Sequence, residues 1–120
     1  MKDTPLNETQ PGDTLLVITN MPDAELAAVL AHRLVSERAA ACVNQLAPCI
    51  STYRWQGKIE SATEIPLLIK TSKVAYQRVE ELIREVHPDE LPEIIAVSLT
   101  AGLPAYLSWV SSETEPELGM

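Results

Sequence analysis

The first chemistry that the residue types suggest is metal binding, and it centres on His87. Three acidic residues, Asp89, Glu90 and Glu93, follow this histidine closely. Imidazole nitrogen suits copper and zinc, and carboxylate oxygens can complete a ligand set. The position also has a structural explanation, because His87-Pro88 should end a helix, where a histidine can hydrogen-bond the last free carbonyl groups. Both interpretations stay open, and the sequence favours the structural one.

The two cysteines do not form a recognisable catalytic arrangement with the histidines. The spacing of Cys42 and Cys49 matches neither a CxxC redox motif nor a zinc-ligand pattern. On one regular strand the two thiols would lie roughly 23 Å apart on opposite faces, so a disulfide would require a break at Pro48. We expect two buried, reduced thiols, with Cys42 as a further candidate for a metal or redox response. Without a phosphate-binding loop or a metal-hydrolase spacing, an enzyme is the least supported class.

An aromatic patch lies in the run from Ser51 to Glu60, which contains a glycine at position 57. Residues two apart on a strand share a face, so Tyr53 and Trp55 should project from the same side of a β-hairpin. These are two of only five aromatic residues in the chain. Their concentration beside one turn indicates a contact surface, for a small ligand or for another copy of the chain.

The composition describes one globular domain of ordinary size. The chain has 120 residues, 46% of them apolar, and it contains no phenylalanine, so its core must be aliphatic. The formal net charge of -8 disfavours nucleic acid or an anionic membrane as the main partner. No apolar run has the length of a membrane span, and no leader-like segment follows Met1. The sequence therefore predicts a cytoplasmic protein.

Hydrophobic periodicity predicts the order strand, helix, strand, strand, helix, strand. The middle strands should form a long hairpin, and Leu103 to Val110 should form a short C-terminal helix. This order is the ferredoxin-like βαββαβ pattern of the α+β class. We expect one domain over residues 14–110, between a mobile tail at 1–13 and a mobile acidic tail at 111–120.

The predicted strands are apolar on both faces. Leu15 to Ile18, Ile65 to Ile69 and Ile94 to Val97 have almost no alternation of apolar and polar residues. Two helices can cover only one face of a four-stranded sheet, and the chain has no other element for the second face. A partner subunit is the simplest cover, and a closed homo-oligomer is the usual form.

With these elements in order, the chain resembles the CutA family of divalent-cation tolerance proteins. The segments that carry the resemblance are Ala41-Cys42-Val43-Asn44, Tyr53 to Glu60, Glu64 with Leu68 to Thr71, His87-Pro88 with Pro92 to Ile94, and Tyr106 to Trp109. The resemblance implies a homotrimer of ferredoxin-like protomers, similar in architecture to the trimeric PII signalling proteins. It also implies a role in divalent-metal tolerance and, in some members, copper binding.

The resemblance also implies where this chain departs from copper-binding members. Some of these use a cysteine at the end of the first strand and a second histidine before the one that precedes proline. This sequence has Thr19 and Val86 at those places. A weaker copper or zinc site at His87, Glu90 and Cys42 is what remains.

The second functional hypothesis is a sensor with an effector pocket at the subunit junction. Tyr53, Trp55, Glu64, Lys70 and Glu93 would line a cleft for a small anionic or polar molecule, since such pockets combine an aromatic wall with a few polar groups. A packing and salt-bridge cluster between subunits is the structural alternative. The sequence thus predicts a non-catalytic, trimeric binding or signalling protein that responds to a divalent metal ion or to an effector, without nucleic acid or membrane partners.

Overall fold

The computed structural model of the chain describes residue 10 and residues 12–116. Five strands and three helices follow one another in the order βαβββαβα. Their bounds are β1 Thr14–Met21, α1 Ala24–Ser36, β2 Cys42–Gln45, β3 Cys49–Trp55, β4 Lys58–Ser72, α2 Tyr76–Val86, β5 Ile94–Ser98 and α3 Pro104–Glu113. The predicted ferredoxin-like α+β fold with a long central hairpin and a C-terminal helix is confirmed. The one long strand predicted before the hairpin is divided into β2 and β3 by residues 46–48, which include the Pro48 of the sequence prediction.

Strand β4 is the longest element and organises the sheet. Its C-terminal half lies between β1 and β2, and β5 lies on the other side of β1, with antiparallel pairing throughout. Its N-terminal half leaves this sheet and pairs with β3 from Cys49↔Glu64 to Trp55↔Lys58. Gln56 and Gly57 both have positive φ, as a tight two-residue hairpin turn requires. The hairpin is therefore an arm that extends from the sheet.

The hydrophobic core lies between one face of the sheet and the helices α1 and α2. Alternate residues of β1 and β4 point into it, and they pack against the apolar stripes of both helices. The fully buried residues include Val17, Leu67 and Ile69 from the sheet and Leu30 and Leu82 from the helices. Asp23 begins α1 by accepting a hydrogen bond from the Leu26 N–H at 2.8 Å.

The opposite face of the sheet is only partly covered by the chain itself. Helix α3 lies over one end of it, where Thr14 and Ser72 pair and Thr114 Oγ1 is 2.8 Å from Ser72 Oγ. This corrects the prediction that no element is left for the second face. Farther along the same face, Ile95 and Val97 each remain 51% exposed, so much of it is open in a single chain.

The chain ends also differ in part from the prediction. A mobile tail was expected from residue 111, but α3 continues to Glu113 and Thr114 is buried, at 3% exposure. The Arg38 guanidinium holds this end by donating to the carbonyl oxygens of Ser112 and Glu115, at 2.9 and 3.0 Å. The tail predictions for residues 1–9, 11 and 117–120 lie outside the described residues. In the described chain, no helix is long and apolar enough to cross a membrane.

Candidate functional site

A cleft of about 830 Å³ separates the hairpin arm from the loop that joins α2 to β5. Its lining combines the aromatic side of β3 with the acidic loop and the end of β1. The lining residues are Asn20, Ser51, Thr52, Tyr53, Trp55, Glu64, His87, Pro88, Asp89, Glu90, Leu91 and Glu93. Six of these, Tyr53, Trp55, Glu64, His87, Glu90 and Glu93, are among the predicted site residues, although two different hypotheses named them. The structure thus brings most of both predicted sets into one place.

His87 holds the loop wall of the cleft in position. Its side chain is buried, and Nε2 lies 2.8 Å from the carbonyl oxygen of Asn20 at the end of β1. Its Nδ1 accepts a hydrogen bond from the Asp89 N–H at 3.1 Å. Together these contacts place the proton on Nε2 and leave no ring lone pair directed at the cleft. A metal ion could bind His87 only by replacing one of these two hydrogen bonds.

Hydrogen bonds between Glu93 and the end of β1 also hold the loop that joins α2 to β5. The Thr19 hydroxyl, which is fully buried, donates to the Glu93 carbonyl oxygen at 2.7 Å. The Asn20 side-chain amide donates to Glu93 Oε1 at 3.0 Å. Thr19 stands where the resemblance implies a cysteine ligand in some family members, and here its hydroxyl has a structural role. Asn20 was not among the site residues predicted from the sequence. The only feature that could have indicated it is its position directly after the apolar run of β1.

The cleft has a negative lining. Glu64, Asp89, Glu90 and Glu93 all line it, and its described lining contains no lysine or arginine. Ion pairs in the described part of the chain lie at helices α1 and α2, and none includes a carboxylate of the cleft. The cleft therefore favours a cation over an anion.

The structure separates Lys70 and Cys42 from the other predicted site residues. Lys70 pairs opposite Cys42 in the sheet, and its ammonium group donates to the side-chain oxygen of Asn44. Lys70 is six residues from Glu64 on the same strand, which corresponds to about 20 Å. Within one chain Lys70 is therefore not part of the lining of this cleft, and its place in a cleft between subunits stays a prediction.

Cys42 lies beside α3, on the outer face of the sheet. Burial, together with the neighbouring Cys42, raises the pKa of the Tyr106 hydroxyl. Cys42 and Cys49 are both free and partly buried. Because Cys42 is opposite Lys70, it cannot join His87 and Glu90 at one metal ion within a chain. Over the described residues, no three histidine, cysteine or acidic side chains converge closely enough to hold a metal ion.

The aromatic wall of the cleft is open to solvent. Tyr53 and Trp55 project from the same side of β3, as the two-residue spacing predicts, and they remain 43% and 47% exposed. Their cross-strand neighbours on β4 are Glu60 and Lys58. The arrangement offers two ring surfaces and several carboxylates to one bound molecule.

A ferredoxin-like sheet with a projecting hairpin places the chain in one structural class, and the comparisons with known proteins identify its family. The sequence model of the family described as CutA1 divalent ion tolerance protein matches residues 15–113. This match covers most of the chain, which therefore belongs to the CutA1 family, as the resemblance in its motifs indicated.

Individual relatives support this assignment. The chain is 38% identical to the divalent-cation tolerance protein CutA of Thermus thermophilus over 99 residues, which are 82% of this chain and 96% of the relative. It is also 38% identical to Protein CutA of Mus musculus, with 88% of this chain matched. The chain spans only 59% of the length of that mouse protein.

Solved structures share the whole fold. The crystal structure of CutA from Xylella fastidiosa has a TM-score of 0.83 and 47% identity, and the match covers 86% of this chain and 99% of that one. The CutA1 structure from Thermus thermophilus has a TM-score of 0.83 at 37% identity, covering 85% and 99% of the two chains. The fold described above is therefore the fold of this family.

Proposed function

We propose that this protein is a non-catalytic, homotrimeric binding protein of the divalent-cation response, and that it binds cations in the cleft between the hairpin arm and the α2–β5 loop. One observation carries the proposal: four carboxylates line this cleft, and no basic side chain lies among them in the described lining. Membership of a family named for divalent-ion tolerance agrees with a cationic ligand.

The trimer is supported by the part of the sheet that α3 leaves open. Leu16, Ile18 and Leu68 are only partly buried there, beside the more exposed Ile95 and Val97 of β5. An apolar sheet face of this kind is typical of an interface between subunits. Light scattering of the intact protein should give three times the mass of one chain.

A matched pair of variants tests this interface. Ile95 on the open sheet face and Val29 on α1 have the same exposed fraction, 51%. We expect Ile95→Glu to lower the mass towards that of one chain, because it introduces charge into the proposed interface, and Val29→Glu to leave the mass unchanged. A trimer that survives Ile95→Glu without loss would place the interface elsewhere.

The metal site that we propose is weak and rich in oxygen ligands. Glu64 and Glu93 would supply carboxylates, and water or a neighbouring copy would complete the ligand set. For a given set of protein ligands, Cu(II) generally binds more tightly than Zn(II) or Ni(II), so copper should give the highest affinity. The soft thiolate of Cys42 would not take part.

Calorimetric titration with Cu(II), Zn(II) and Ni(II) tests the metal site. We expect Glu64→Gln and Glu93→Gln to weaken binding, and Glu113→Gln, at the exposed end of α3, to have no effect. The His87→Ala variant tests whether the imidazole exchanges one of its hydrogen bonds for a bond to the ion. Equal affinities in Glu64→Gln, Glu93→Gln and the unaltered protein would remove the cleft from the proposal.

A second candidate function is an effector sensor that uses the same cleft. A volume of about 830 Å³ and two exposed rings favour it, because small-molecule pockets have this size and an aromatic lining. Binding of an effector would then be read out through the trimer, as in the PII-like hypothesis. A thermal-shift screen of metals and metabolites on the intact oligomer separates the two candidates, since a ligand of the native state raises the unfolding temperature.

We also propose that the protein acts in the cytoplasm, as the sequence analysis predicts. Relatives differ in this respect, because a CutA from Archaeoglobus fulgidus is described as periplasmic and one from Arabidopsis thaliana as chloroplastic. Cell fractionation followed by immunodetection tests the assignment, and recovery from the periplasmic fraction would overturn it.

A further inference from the structure

The cleft is larger than a metal ion requires. An ion with six waters takes on the order of 200 Å³, since each water occupies about 30 Å³, whereas the cleft has about 830 Å³. Its volume lies in the range of pockets that hold organic molecules, roughly 300–1,000 Å³. Size therefore points to a ligand with a carbon skeleton.

The carboxylates are also distributed over three segments of the chain. Glu64 comes from β4, Asp89 and Glu90 come from the loop after α2, and Glu93 precedes β5. Over the described residues, no three acidic, histidine or cysteine side chains converge as metal ligands. Carboxylates distributed around a wide cleft match a ligand whose positive charges are themselves separated.

The aromatic wall fits the same kind of ligand. Ring faces attract cations, and ammonium groups are bound this way when a ring is accessible. In a single chain the rings of Tyr53 and Trp55 are accessible, at 43% and 47% exposure, and both lie on the cleft. In the described chain the close ring pair is Tyr106 with Trp109, so neither cleft ring is occupied by stacking on another ring. A methylene chain can pack on these surfaces while its ammonium groups meet the carboxylates.

We infer that the cleft binds an organic polyamine, a linear cation whose ammonium groups are separated by methylene segments. This inference rests on the second candidate function and names the chemical class of its effector. Tyr53 and Trp55 hold the chain by ring contacts, and Glu64 and Glu93 pair with ammonium groups. Anions are rejected, because no basic side chain lines the described cleft.

Fluorescence of the intact protein tests the inference with spermidine as the probe. The chain has two tryptophans, so Trp109→Phe leaves Trp55 as the only one and Trp55→Phe leaves Trp109. At constant ionic strength, spermidine should change the emission of Trp109→Phe saturably and leave that of Trp55→Phe unchanged. Butylamine, with one charge, should bind more weakly, and succinate should not bind. Absence of a saturable change in Trp109→Phe up to millimolar spermidine would overturn the inference.

Calorimetry on variants separates a built site from general attraction to an acidic protein. We expect Tyr53→Leu to bind spermidine about two- to fivefold more weakly, as loss of one cation–π contact requires. Glu64→Gln should weaken binding at least as much, and the matched controls Tyr106→Leu and Glu113→Gln should bind as the unaltered protein does. Light scattering on each variant shows whether assembly is intact. Equal affinity in all four variants would mean nonspecific binding and would overturn the inference.

The outcomes also distinguish this inference from the proposed metal function. Binding of Cu(II) without binding of spermidine leaves the metal proposal standing and removes the polyamine. Binding of spermidine that Glu64→Gln weakens, without metal binding, supports the polyamine and removes the metal. Failure of both ligands would reject the cleft as a cation site.

Discussion

Two pairs of aromatic residues have nearly the same exposure but very different surroundings. Tyr106 and Trp109 on α3 are 38% and 43% exposed, close to the values for Tyr53 and Trp55 on β3. The α3 rings lie against each other, with centroids 5.5 Å apart, on a helix that packs over the sheet. The β3 rings stand on a hairpin arm beside an open cleft. Exposure alone therefore does not separate residues that hold the fold from residues available for binding.

The same contrast appears among the carboxylates. Glu37 lies at the end of α1 and pairs with Arg33 at 2.9 Å and with Arg78 at 2.5 Å. The carboxylates of the cleft have no such ion pair within the described residues. Rings and carboxylates that have a partner within the chain should contribute to stability. Rings and carboxylates without such a partner should contribute to binding.

The largest effect should come from the anchor of α3. Val110 is the fully buried residue of this helix, so Val110→Asp would bury a charge without a partner and should lower the free energy of unfolding by about 3 kcal/mol or more. Ser108→Asp places the same charge on the exposed side of the helix and should cost far less. Urea denaturation measures both. Similar losses for the two variants would mean that α3 does not anchor the fold.

Much of the fold can be predicted from the sequence because its elements follow local rules. The stripes of α1 and α2, the apolar runs of β1 and β4 and the turn at Gly57 have periodicities or residue preferences that act over a few positions. The full length of α3 was not predictable in this way. Its last turn depends on Thr114 and Arg38, whose partners are distant in sequence.

The candidate site was predictable in its residues but not in its arrangement. Tyr53, Trp55 and Glu64 come together because strand spacing places them, whereas the loop wall depends on the hydrogen bond from His87 to the carbonyl of Asn20. Because that bond joins residues far apart in the chain, no local sequence pattern predicts it. Lys70 differs from these residues, because in a single chain it pairs with Cys42 in the sheet and is not part of the described cleft lining.

A second, smaller effect on stability should distinguish Trp109 from Trp55. Trp109→Leu removes the ring contact with Tyr106 and should lower the free energy of unfolding by about 1 kcal/mol, as for other aromatic pairs. Trp55→Leu should change it by only a few tenths of a kcal/mol, since its ring is on the open arm. Denaturation of both variants, with assembly checked by light scattering, provides the comparison. A larger loss for Trp55→Leu would reverse the assignment of the two pairs.

The hydroxyl of Thr114 should contribute a comparable or slightly smaller amount. It lies 2.8 Å from Ser72 Oγ and 2.9 Å from the Val110 carbonyl oxygen, in a buried position. Thr114→Val keeps the shape but removes the hydrogen bonds, and it should cost about 1 kcal/mol. Thr52→Val on the exposed side of the hairpin is the control. If both variants are as stable as the unaltered protein, the α3 end is held by Val110 and Arg38 alone.

The smallest effect should be the pH dependence of the α1–α2 ion pairs. The hydrogen bond from Arg33, strengthened by the charges of Arg33 and Arg78, holds the pKa of Glu37 below its ordinary value of 4.5. A carboxylate with a lowered pKa in the folded state stabilises the protein above its unfolded pKa, and this contribution is lost as pH falls through the folded pKa. Because the pair is partly exposed, the effect should be small and should weaken with added salt.

Glu37→Gln tests this directly through the slope of stability against pH. Below about pH 4.5 the unaltered protein should lose stability with a steeper slope than the variant, and Arg33→Gln should flatten the slope in the same way because it removes the first partner of Glu37. Glu37→Gln combined with Arg33→Gln should add little to either single change, since the two side chains form one interaction. Identical acid slopes in Glu37→Gln and the unaltered protein would show that the pairing of Glu37 does not contribute to stability. The contrast between the two regions would then rest on the aromatic pairs.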